Sequence, residues 1–386
     1  MQYRIDSLLV KQLHAFVYGN GKEYFLQQSA EDQKRLLKMA VSQEIEPLFY
    51  QMLQNDLPAN EKDDFKSKYL AGAVGALKDR VALKRFTDLL EKHTIRFALF
   101  KGADMAFRYY PNPALRSYRD WDVLIHPDDI ERAVAVLQDD GFQCDKKTVL
   151  SDEHHHLPVM IKNDACVELH KTFSCFDGVE IAEVWKYLNA NRSGSMQYHL
   201  TPEINLMQMT RHIANNGYMH APLVKFLLDA AYLMAAETID WQHLKKLAKN
   251  WHMPYPGDVL GAWGDFFPAD VLSLMNPDSE KSAGFRQLFD SLHTTISVAA
   301  GEWDMQHSDL GKMAFICRGL RRMSAAAVRK KYALPEQGAY CRLIWWYSFD
   351  LIRKFFRFVR YCLMPDKNVL AHGELVAQLE KNNDKK

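Results

Sequence analysis

The strongest constraint on the fold is a short segment in which two acidic residues alternate with apolar ones and lead into an apolar run. Residues 119–125 read Arg-Asp-Trp-Asp-Val-Leu-Ile. Successive side chains of a β-strand point to opposite faces, so Asp120 and Asp122 are expected to share one face, with apolar residues facing a core. Two carboxylates on one strand repel each other unless a cation neutralises them. The segment therefore predicts a strand that presents two acids to a cation, with a strand edge of solvated acids as the alternative.

A third acid lies on a later predicted strand. Residues 166–170 read Cys-Val-Glu-Leu-His, and if Val167 and Leu169 face the core, Glu168 and His170 share the open face. If this strand lies beside the first, three acids converge. Three acids can hold two divalent ions about 3.5–4 Å apart, which suits in-line displacement at phosphorus. Mg²⁺ is the expected ion because it prefers oxygen ligands, with Mn²⁺ as the alternative.

Strand and helix signals alternate around these acids. The predicted order is strand, helix, strand, helix and then further strands, over residues 96–100, 103–110, 117–125, 127–141, 142–144, 159–161 and 165–172. Asn163-Asp164 separates the last two segments, which favours a hairpin. Helices packed on a small mixed sheet in this order predict the α+β class.

Helical patterns dominate on both sides of this core. Apolar residues recur at steps of three and four, which predicts a helix with one apolar face, at Leu70, Ala73, Val74, Leu77 and Val81. The sequence thus predicts an N-terminal helical region, a core with the acidic strands and a C-terminal helical region, over residues 1–92, 93–178 and 179–380.

Composition excludes several protein classes. Hydrophobic residues make up 48% and charged residues 25% of the 386 residues, as in soluble globular proteins. No window offers about 18 uncharged apolar residues, so no transmembrane segment is expected. The start of the chain shows no signal-peptide pattern. The six cysteines contain no CxxC pair, which argues against a zinc ribbon or a disulfide scaffold and suits a cytoplasmic protein.

The charges balance globally but not locally. Lys and Arg number 49 against 48 Asp and Glu, yet residues 311–367 contain thirteen basic residues and three acidic ones. Aromatic residues such as Trp345, Trp346 and Phe355 interleave with these charges. The segment could bind nucleic acid or an anionic membrane surface. A packed helix pair with a solvated basic face is the alternative.

Three consecutive histidines, His154-His155-His156, invite a zinc interpretation. Three neighbouring side chains cannot all face one metal ion from a strand or a helix. A polar loop between strands is therefore the favoured interpretation, and such a loop could cover the acidic site.

Several motifs carry a family resemblance. They are Leu99-Phe100-Lys101-Gly102, Tyr110-Pro111, Leu115-Arg116, Asp120-Trp121-Asp122-Val123-Leu124-Ile125 and Glu168-Leu169-His170. By these motifs, residues 80–265 resemble the uncharacterised nucleotidyltransferase family of the DNA polymerase β-like superfamily. Leu228-Asp229-Ala230-Ala231 and Ile239-Asp240-Trp241 look like its helical C-terminal part. The resemblance implies a nucleotidyltransferase core in which Asp120, Asp122 and Glu168 are the catalytic and metal-binding acids.

The resemblance also suggests where a nucleotide binds. It places Gly102 at the superfamily's Gly-Ser or Gly-Gly turn near the phosphates, although Ala103 follows it here and a hydroxyl is missing. The predicted nucleotide-binding residues are Lys101, Gly102, Arg116, Arg119 and His170. Lysine offers phosphate a point charge and arginine a bidentate grip.

Structural alternatives stay open for four of these residues. Lys101 can be a solvated charge at a strand end, Arg116 can pair with a surface acid, and His170 can be a structural histidine. Asp229 is interpreted as a hydrogen-bond partner between helices rather than a catalytic acid.

The leading hypothesis is a Mg²⁺-dependent nucleotidyltransferase that moves a nucleoside monophosphate from an NTP such as ATP to a hydroxyl group. The acceptor is open: a small molecule, a glycan, a protein or an RNA. The alternative is a catalytically inactive module of the same fold that binds a nucleotide or a protein partner. A third hypothesis is an anionic-surface protein that acts through residues 311–367.

Overall fold

The computed structural model describes residues 6–144, 156–173, 179–215 and 223–290. The basic segment 311–367 and two of the three consecutive histidines lie outside these residues. The described residues before position 284 belong to one compact unit, which combines residues 1–215 with 222–283. The division of the chain into the three regions given above stays a prediction.

The N-terminal helices begin where polar side chains can cap them. The Asp6 carboxylate accepts the Leu9 N–H at 2.9 Å, and the Ser29 hydroxyl accepts the Asp32 N–H at 3.1 Å, which satisfies amides that lack a partner within the helix. These helices are α1 (Ser7–Tyr18), α2 (Gly21–Leu26), α3 (Ala30–Ser42), α4 (Glu46–Leu53) and α5 (Ala59–Lys92).

The described strands form one mixed sheet of seven strands, in the order β3-β4-β5-β2-β1-β7-β6. Their bounds are β1 Phe97–Phe100, β2 Trp121–Ile125, β3 Gln143–Cys144, β4 Met160–Lys162, β5 Ala165–His170, β6 Leu188–Ala190 and β7 Gln197–Leu200. The pairs β2–β5 and β1–β7 are parallel, and the other neighbours are antiparallel.

The other helices lie between and after these strands. They are α6 (Lys101–Arg108), α7 (Ile130–Asp139), α8 (Ile181–Trp185), α9 (Pro202–Asn215), α10 (Leu223–Ala236), α11 (Trp241–Asn250), α12 (Pro256–Gly261), α13 (Ala269–Met275) and α14 (Ser279–Asp290). This architecture confirms the predicted α+β class. None of the helices in the described residues is long and apolar enough to span a bilayer.

One face of the sheet packs into the main hydrophobic core, as the alternation predicted. Trp121, Val123 and Ile125 of β2 are buried there with Val167 and Leu169 of β5. The same core takes in residues from α5 and α7, namely Leu83, Phe86, Leu90, Ala133 and Leu137. Because side chains alternate along a strand, Asp122, Glu168 and His170 lie on the opposite face.

Two differences between the predicted and the observed elements affect the acidic strand and the extent of the sheet. Strand β2 begins at Trp121, so Asp120 lies in the bend before the strand rather than within it. Strands β6 and β7 extend the sheet to residue 200, within the region where the sequence pattern predicted mainly helices. Both are short, and their side chains are mostly half-buried or exposed, so they lack the apolar run that marked the central strands.

Helix α5 forms where the three- and four-residue spacing predicted a helix, but the face that carries this spacing is not in the core. Leu70, Val74, Leu77 and Val81 are exposed. The buried residues of α5 include Phe65, Ala76, Leu83, Phe86 and Leu90. The periodicity therefore located the helix correctly without identifying its buried side.

Candidate metal and nucleotide site

The parallel pairing of β2 and β5 brings together the central residues of the site. Asp122 lies directly opposite Glu168 in the register, and His170 lies two residues further along β5, on the same face. Ligand atoms of these three side chains all lie within 4.8 Å of one another. Among the described residues this is the group whose donor atoms could surround a metal ion.

The three side chains are already connected by hydrogen bonds and charge. The His170 Nε2 atom lies 2.9 Å from Asp122 Oδ1 and 3.6 Å from Glu168 Oε2. Asp122 and His170 are buried, whereas the Glu168 side chain is 23% exposed, so access from solvent is on the side of Glu168. The His170 ring also packs edge-on against Phe100 at a centroid distance of 4.8 Å, which fixes its orientation.

The site lowers the pKa of both strand acids. Burial alone would raise the pKa of Asp122, but the hydrogen bonds and charges of His170 and Lys101 outweigh it and lower that pKa. A hydrogen bond with His170 lowers the pKa of Glu168, against the opposing effect of burial. Both carboxylates are therefore ionised at neutral pH, the state in which they bind cations.

Asp120 is an electrostatic neighbour of this group but is not one of the three clustered ligands. Burial, followed by the charges of Asp122 and Glu168, raises its pKa. Because β2 begins one residue later, no strand ladder fixes its backbone. A divalent cation bound at Asp122 and Glu168 would relieve the repulsion that acts on Asp120. The predicted role of Asp120 as a metal ligand stays a prediction.

The donor set suits a divalent metal. Two carboxylates are hard oxygen ligands of the kind that Mg²⁺ and Mn²⁺ prefer, and an imidazole nitrogen is also accepted by Mn²⁺ and later transition metals. Asp120, Asp122 and Glu168 bring three acids to this region, and Lys101 is a cation in direct contact with Asp122. The residues therefore fit the ion that the sequence predicts, although the set also includes a histidine.

Lys101 reaches the site through an unusual turn of the backbone. It follows β1 directly, has a positive φ of 57° and is the first residue of α6. A left-handed conformation is uncommon outside glycine and costs of order 1–3 kcal/mol, so it persists only where the surroundings hold it. From this position the Lys101 Nζ atom lies 2.7 Å from Asp122 Oδ1. The sequence indicated the charge but not the strained turn that aims it at Asp122.

The residue after Lys101 is a glycine, and its lack of a side chain lets another chain segment pass close to the start of α6. A Cβ atom at this position would lie 2.6 Å from the Cβ of Tyr118, in the loop that leads to the acids. No described side chain caps the start of α6, so its first N–H groups stay available to an anion. The glycine thus brings a helix N-terminus close to the acidic loop.

Arg116 is committed to a structural contact. Its Nε and Nη2 atoms donate to the two carboxylate oxygens of Asp229 at 2.8 and 2.9 Å, and the Tyr110 hydroxyl donates to the same carboxylate at 2.7 Å. Sequence reasoning weighed a surface acid as the structural partner of Arg116, but Asp229 is buried, on α10. The pair ties the loop before β2 to α10. The predicted contact of Arg116 with a nucleotide stays a prediction.

Arg119, in contrast to Arg116, is largely exposed to solvent. Its side chain is 89% exposed and lies 3.8 Å from Glu44, a contact of small energetic value in water. It stays free to approach an anion, but nothing in the fold aims it at the site. Its predicted contact with a nucleotide stays a prediction.

Sequence reasoning missed His212, on α9. Burial, followed by the charge of Lys101, lowers its pKa to about 4, while Asp122 opposes this shift. His212 is therefore close to the acidic face and neutral at physiological pH. Asn205, Gln208 and Thr210 of the same helix are polar and buried, but this burial is known only from the structure. The sequence alone therefore gave no clear signal for His212.

Comparison with known proteins gives a family match and no match to an individual curated protein. A family model described as an uncharacterised nucleotidyltransferase matches residues 29–254, which is more than half of the chain and includes Lys101, Asp120, Asp122, Glu168 and His170. The chain belongs to this uncharacterised nucleotidyltransferase family.

Proposed function

We propose that the protein is a divalent-metal-dependent nucleotidyltransferase that moves a nucleoside monophosphate from an NTP to a hydroxyl acceptor. The observation that carries the proposal is the pairing of Asp122 with Glu168 across two parallel strands, beside His170. The family supports nucleotidyl transfer in general. The metal, the nucleotide and the acceptor are part of the proposal.

The acids and their neighbours have separate roles in this mechanism. Asp122 and Glu168, joined by Asp120 from the adjacent bend, would hold Mg²⁺ or Mn²⁺. When bound, the ion neutralises charge on the phosphate oxygens of the nucleotide. His170 holds the Asp122 carboxylate in place through its hydrogen bond, as the outer partner of a metal ligand does.

Cationic and backbone groups would position the triphosphate. Lys101 supplies a positive charge beside Asp122, and the first N–H groups of α6 follow it directly. The partly exposed Glu168 marks the open side, from which substrates would enter. An acid of this cluster can also take the proton of the acceptor hydroxyl. Catalysis would come mainly from positioning and charge neutralisation.

Two observations favour an inactive module as the second candidate. Gly102 is followed by Ala103 rather than by a hydroxyl residue, and both carboxylate-facing nitrogens of Arg116 are held by Asp229. Such a module would bind a nucleotide without cleaving it. The two candidates differ in one measurable product, pyrophosphate.

The test compares the wild type with Glu168→Gln. Each common NTP, labelled at the α-phosphate, is incubated with the full chain, Mg²⁺ and fractionated cell extract, and pyrophosphate release is measured. Asp258→Asn is the matched control, because Asp258 is a buried acid of α12 that bonds the Asp278 N–H away from the site.

Metal-dependent release in the wild type and the control, but not in Glu168→Gln, supports the enzyme. Nucleotide binding without pyrophosphate release from any fraction supports the inactive module. The fraction that takes up label would identify the acceptor class as a small molecule, a glycan, a protein or an RNA.

A further inference from the structure

A row of aliphatic side chains runs along the exposed side of α5. Leu70, Val74, Leu77 and Val81 are 48%, 53%, 66% and 55% exposed. Their spacing of four, three and four residues is that of the a and d positions of a heptad. At 1.5 Å per residue the row is about 17 Å long, or three helical turns. Isolated exposed leucines are common on proteins, but a heptad row is the pattern of a helix–helix seam.

Basic side chains border this row on both sides. Residues 66–85 contain six cations, Lys66, Lys68, Lys78, Arg80, Lys84 and Arg85, against the single acid Asp79. Heptad spacing places Lys78 and Arg85 along one side of the row and Lys66 and Arg80 along the other, while Lys84 follows the row at its C-terminal end.

These cations are weakly neutralised within the described residues. Lys84 pairs with Asp88 one turn away, Lys78 lies 4.0 Å from the exposed Asp164, and Arg80 lies over the Phe107 ring. An apolar seam with positive borders therefore faces outward from α5.

We propose that this face of α5 docks an amphipathic helix of a partner protein that has aliphatic residues at heptad spacing and Asp or Glu on both borders. Apolar contact along the row would supply the binding energy, and the charged borders would set partner choice and orientation. The face is separate from the acidic site: the buried side of α5 packs in the core on the face of the sheet opposite Asp122.

Charge complementarity distinguishes this occupant from three others. A second copy of the chain would bring basic borders against basic borders across a two-fold axis, and like charges repel. The chain's own segment 311–367 carries ten more basic than acidic residues and is repelled in the same way. Anionic membranes suit the charge, but they take the broad apolar face of an amphipathic helix, whereas this row is a narrow a and d seam. Nucleic acids also suit the charge, but they favour aromatic residues for stacking, and the row is entirely aliphatic.

The test uses the full chain and two labelled peptides of three heptads, with Leu and Ile at the a and d positions. One peptide has Glu at its e and g positions and the other has Lys. Fluorescence anisotropy is expected to detect binding of the Glu peptide, and this binding should weaken as the salt concentration is raised. The Lys peptide should bind at least about tenfold more weakly.

Point variants locate the interaction. Leu77→Asp should weaken binding of the Glu peptide at least about tenfold, because it puts a charge in the centre of the row. Leu274→Asp is the matched control, since Leu274 of α13 is also 66% exposed, and it should leave binding unchanged. Arg80→Glu with Arg85→Glu should remove most of the preference between the two peptides, because the new acids offset the lysines that remain on the borders. Circular dichroism checks that each variant is folded.

Several results would overturn the proposal. They are equal affinity for the two peptides, no binding of the Glu peptide at about 0.1 mM, and binding that Leu77→Asp does not change. A dimer in sedimentation experiments that Leu77→Asp dissociates would assign the face to a second copy instead. Binding to phosphatidylserine vesicles or single-stranded RNA that depends on Leu77, without peptide binding, would assign it to those ligands.

Discussion

Two buried aspartates of this protein, Asp122 and Asp229, have nearly the same burial and different surroundings. Their exposed fractions are 5% and 4%, and each has one cationic and one further hydrogen-bond partner. Around Asp229, Arg116 binds both carboxylate oxygens and Tyr110 adds a third hydrogen bond. Around Asp122, the donors Lys101 and His170 both reach the same oxygen, Oδ1.

Asp122 and Asp229 also differ in the balance of positive and negative charge around them. Asp229 and Arg116 form a bidentate ion pair, and this contact offsets the free-energy cost of burying the two charges. Asp122 shares its surroundings with Glu168 and Asp120. The charges of Asp122 and Glu168 raise the pKa of Asp120, and the charge of Asp122 opposes the lowering of the Glu168 pKa. A buried acid whose oxygens are saturated holds elements together, whereas a group of acids that exceeds its cations is suited to receive another cation.

The largest expected effect is on stability at Asp229. Asp229→Ala leaves the Arg116 charge buried without a partner, and we expect the free energy of unfolding to fall by about 3–5 kcal/mol. Urea denaturation measures this loss. Replacing both partners, as Arg116→Met with Asp229→Leu, should recover most of it because no charge then stays buried. A loss below about 1 kcal/mol in the single variant would remove the distinction between the two aspartates.

At Asp122 the main effect should be on cation binding and activity. Asp122→Asn removes a charged metal ligand, and we expect Mn²⁺ affinity to fall at least about tenfold and the rate of nucleotidyl transfer about 10²–10³-fold. Mn²⁺ electron paramagnetic resonance measures the affinity without requiring the acceptor. If this variant instead lost stability like Asp229→Ala and bound Mn²⁺ normally, Asp122 would be a structural residue too.

Much of the acidic site follows from local alternation. A strand period of two was sufficient to predict that Trp121 and Val123 face the core, and the same rule put Glu168 and His170 on one face of β5. Strand pairing cannot be read from one segment, so the meeting of Asp122 with Glu168 was conditional on β2 and β5 being neighbours. The observed register meets that condition.

Other features depend on long-range packing and could not be predicted. Arg116 and Asp229 are more than a hundred residues apart, and no local pattern relates them. The side of α5 that is buried is decided by its partners, so the strongest apolar row pointed to the wrong face. The left-handed Lys101 gives no sequence signal, because positive φ is expected of glycine rather than lysine.

A third buried acid, Asp104 of α6, extends the comparison through pH. Burial raises its pKa from 3.8 to about 6, because its contact with Arg108 only partly compensates. The folded protein therefore holds this proton more tightly than the unfolded chain, so the stabilisation is complete below about pH 4 and is lost as the pH rises to about 6. The loss is about 3 kcal/mol at 1.36 kcal/mol per pKa unit.

Asp104→Asn removes this titration. The stability of the variant relative to the wild type should rise by that amount between pH 4 and pH 7, as measured by urea denaturation at several pH values. A difference that does not change with pH would mean that Arg108 neutralises Asp104 as fully as Arg116 neutralises Asp229.

The smallest effect concerns the turn that aims Lys101 at Asp122. In Gly102→Ala the new Cβ would lie 2.6 Å from the Cβ of Tyr118, so the start of α6 must shift. We expect a loss of about 1–3 kcal/mol in stability and weaker NTP binding by calorimetry. Gly75→Ala is the control: its Cβ would meet nothing within 4 Å, and alanine should stabilise α5 by about 0.5–1 kcal/mol. If Gly102→Ala lost stability but bound NTP like the wild type, Lys101 would neutralise Asp122 in the way Arg116 neutralises Asp229, without contacting a phosphate.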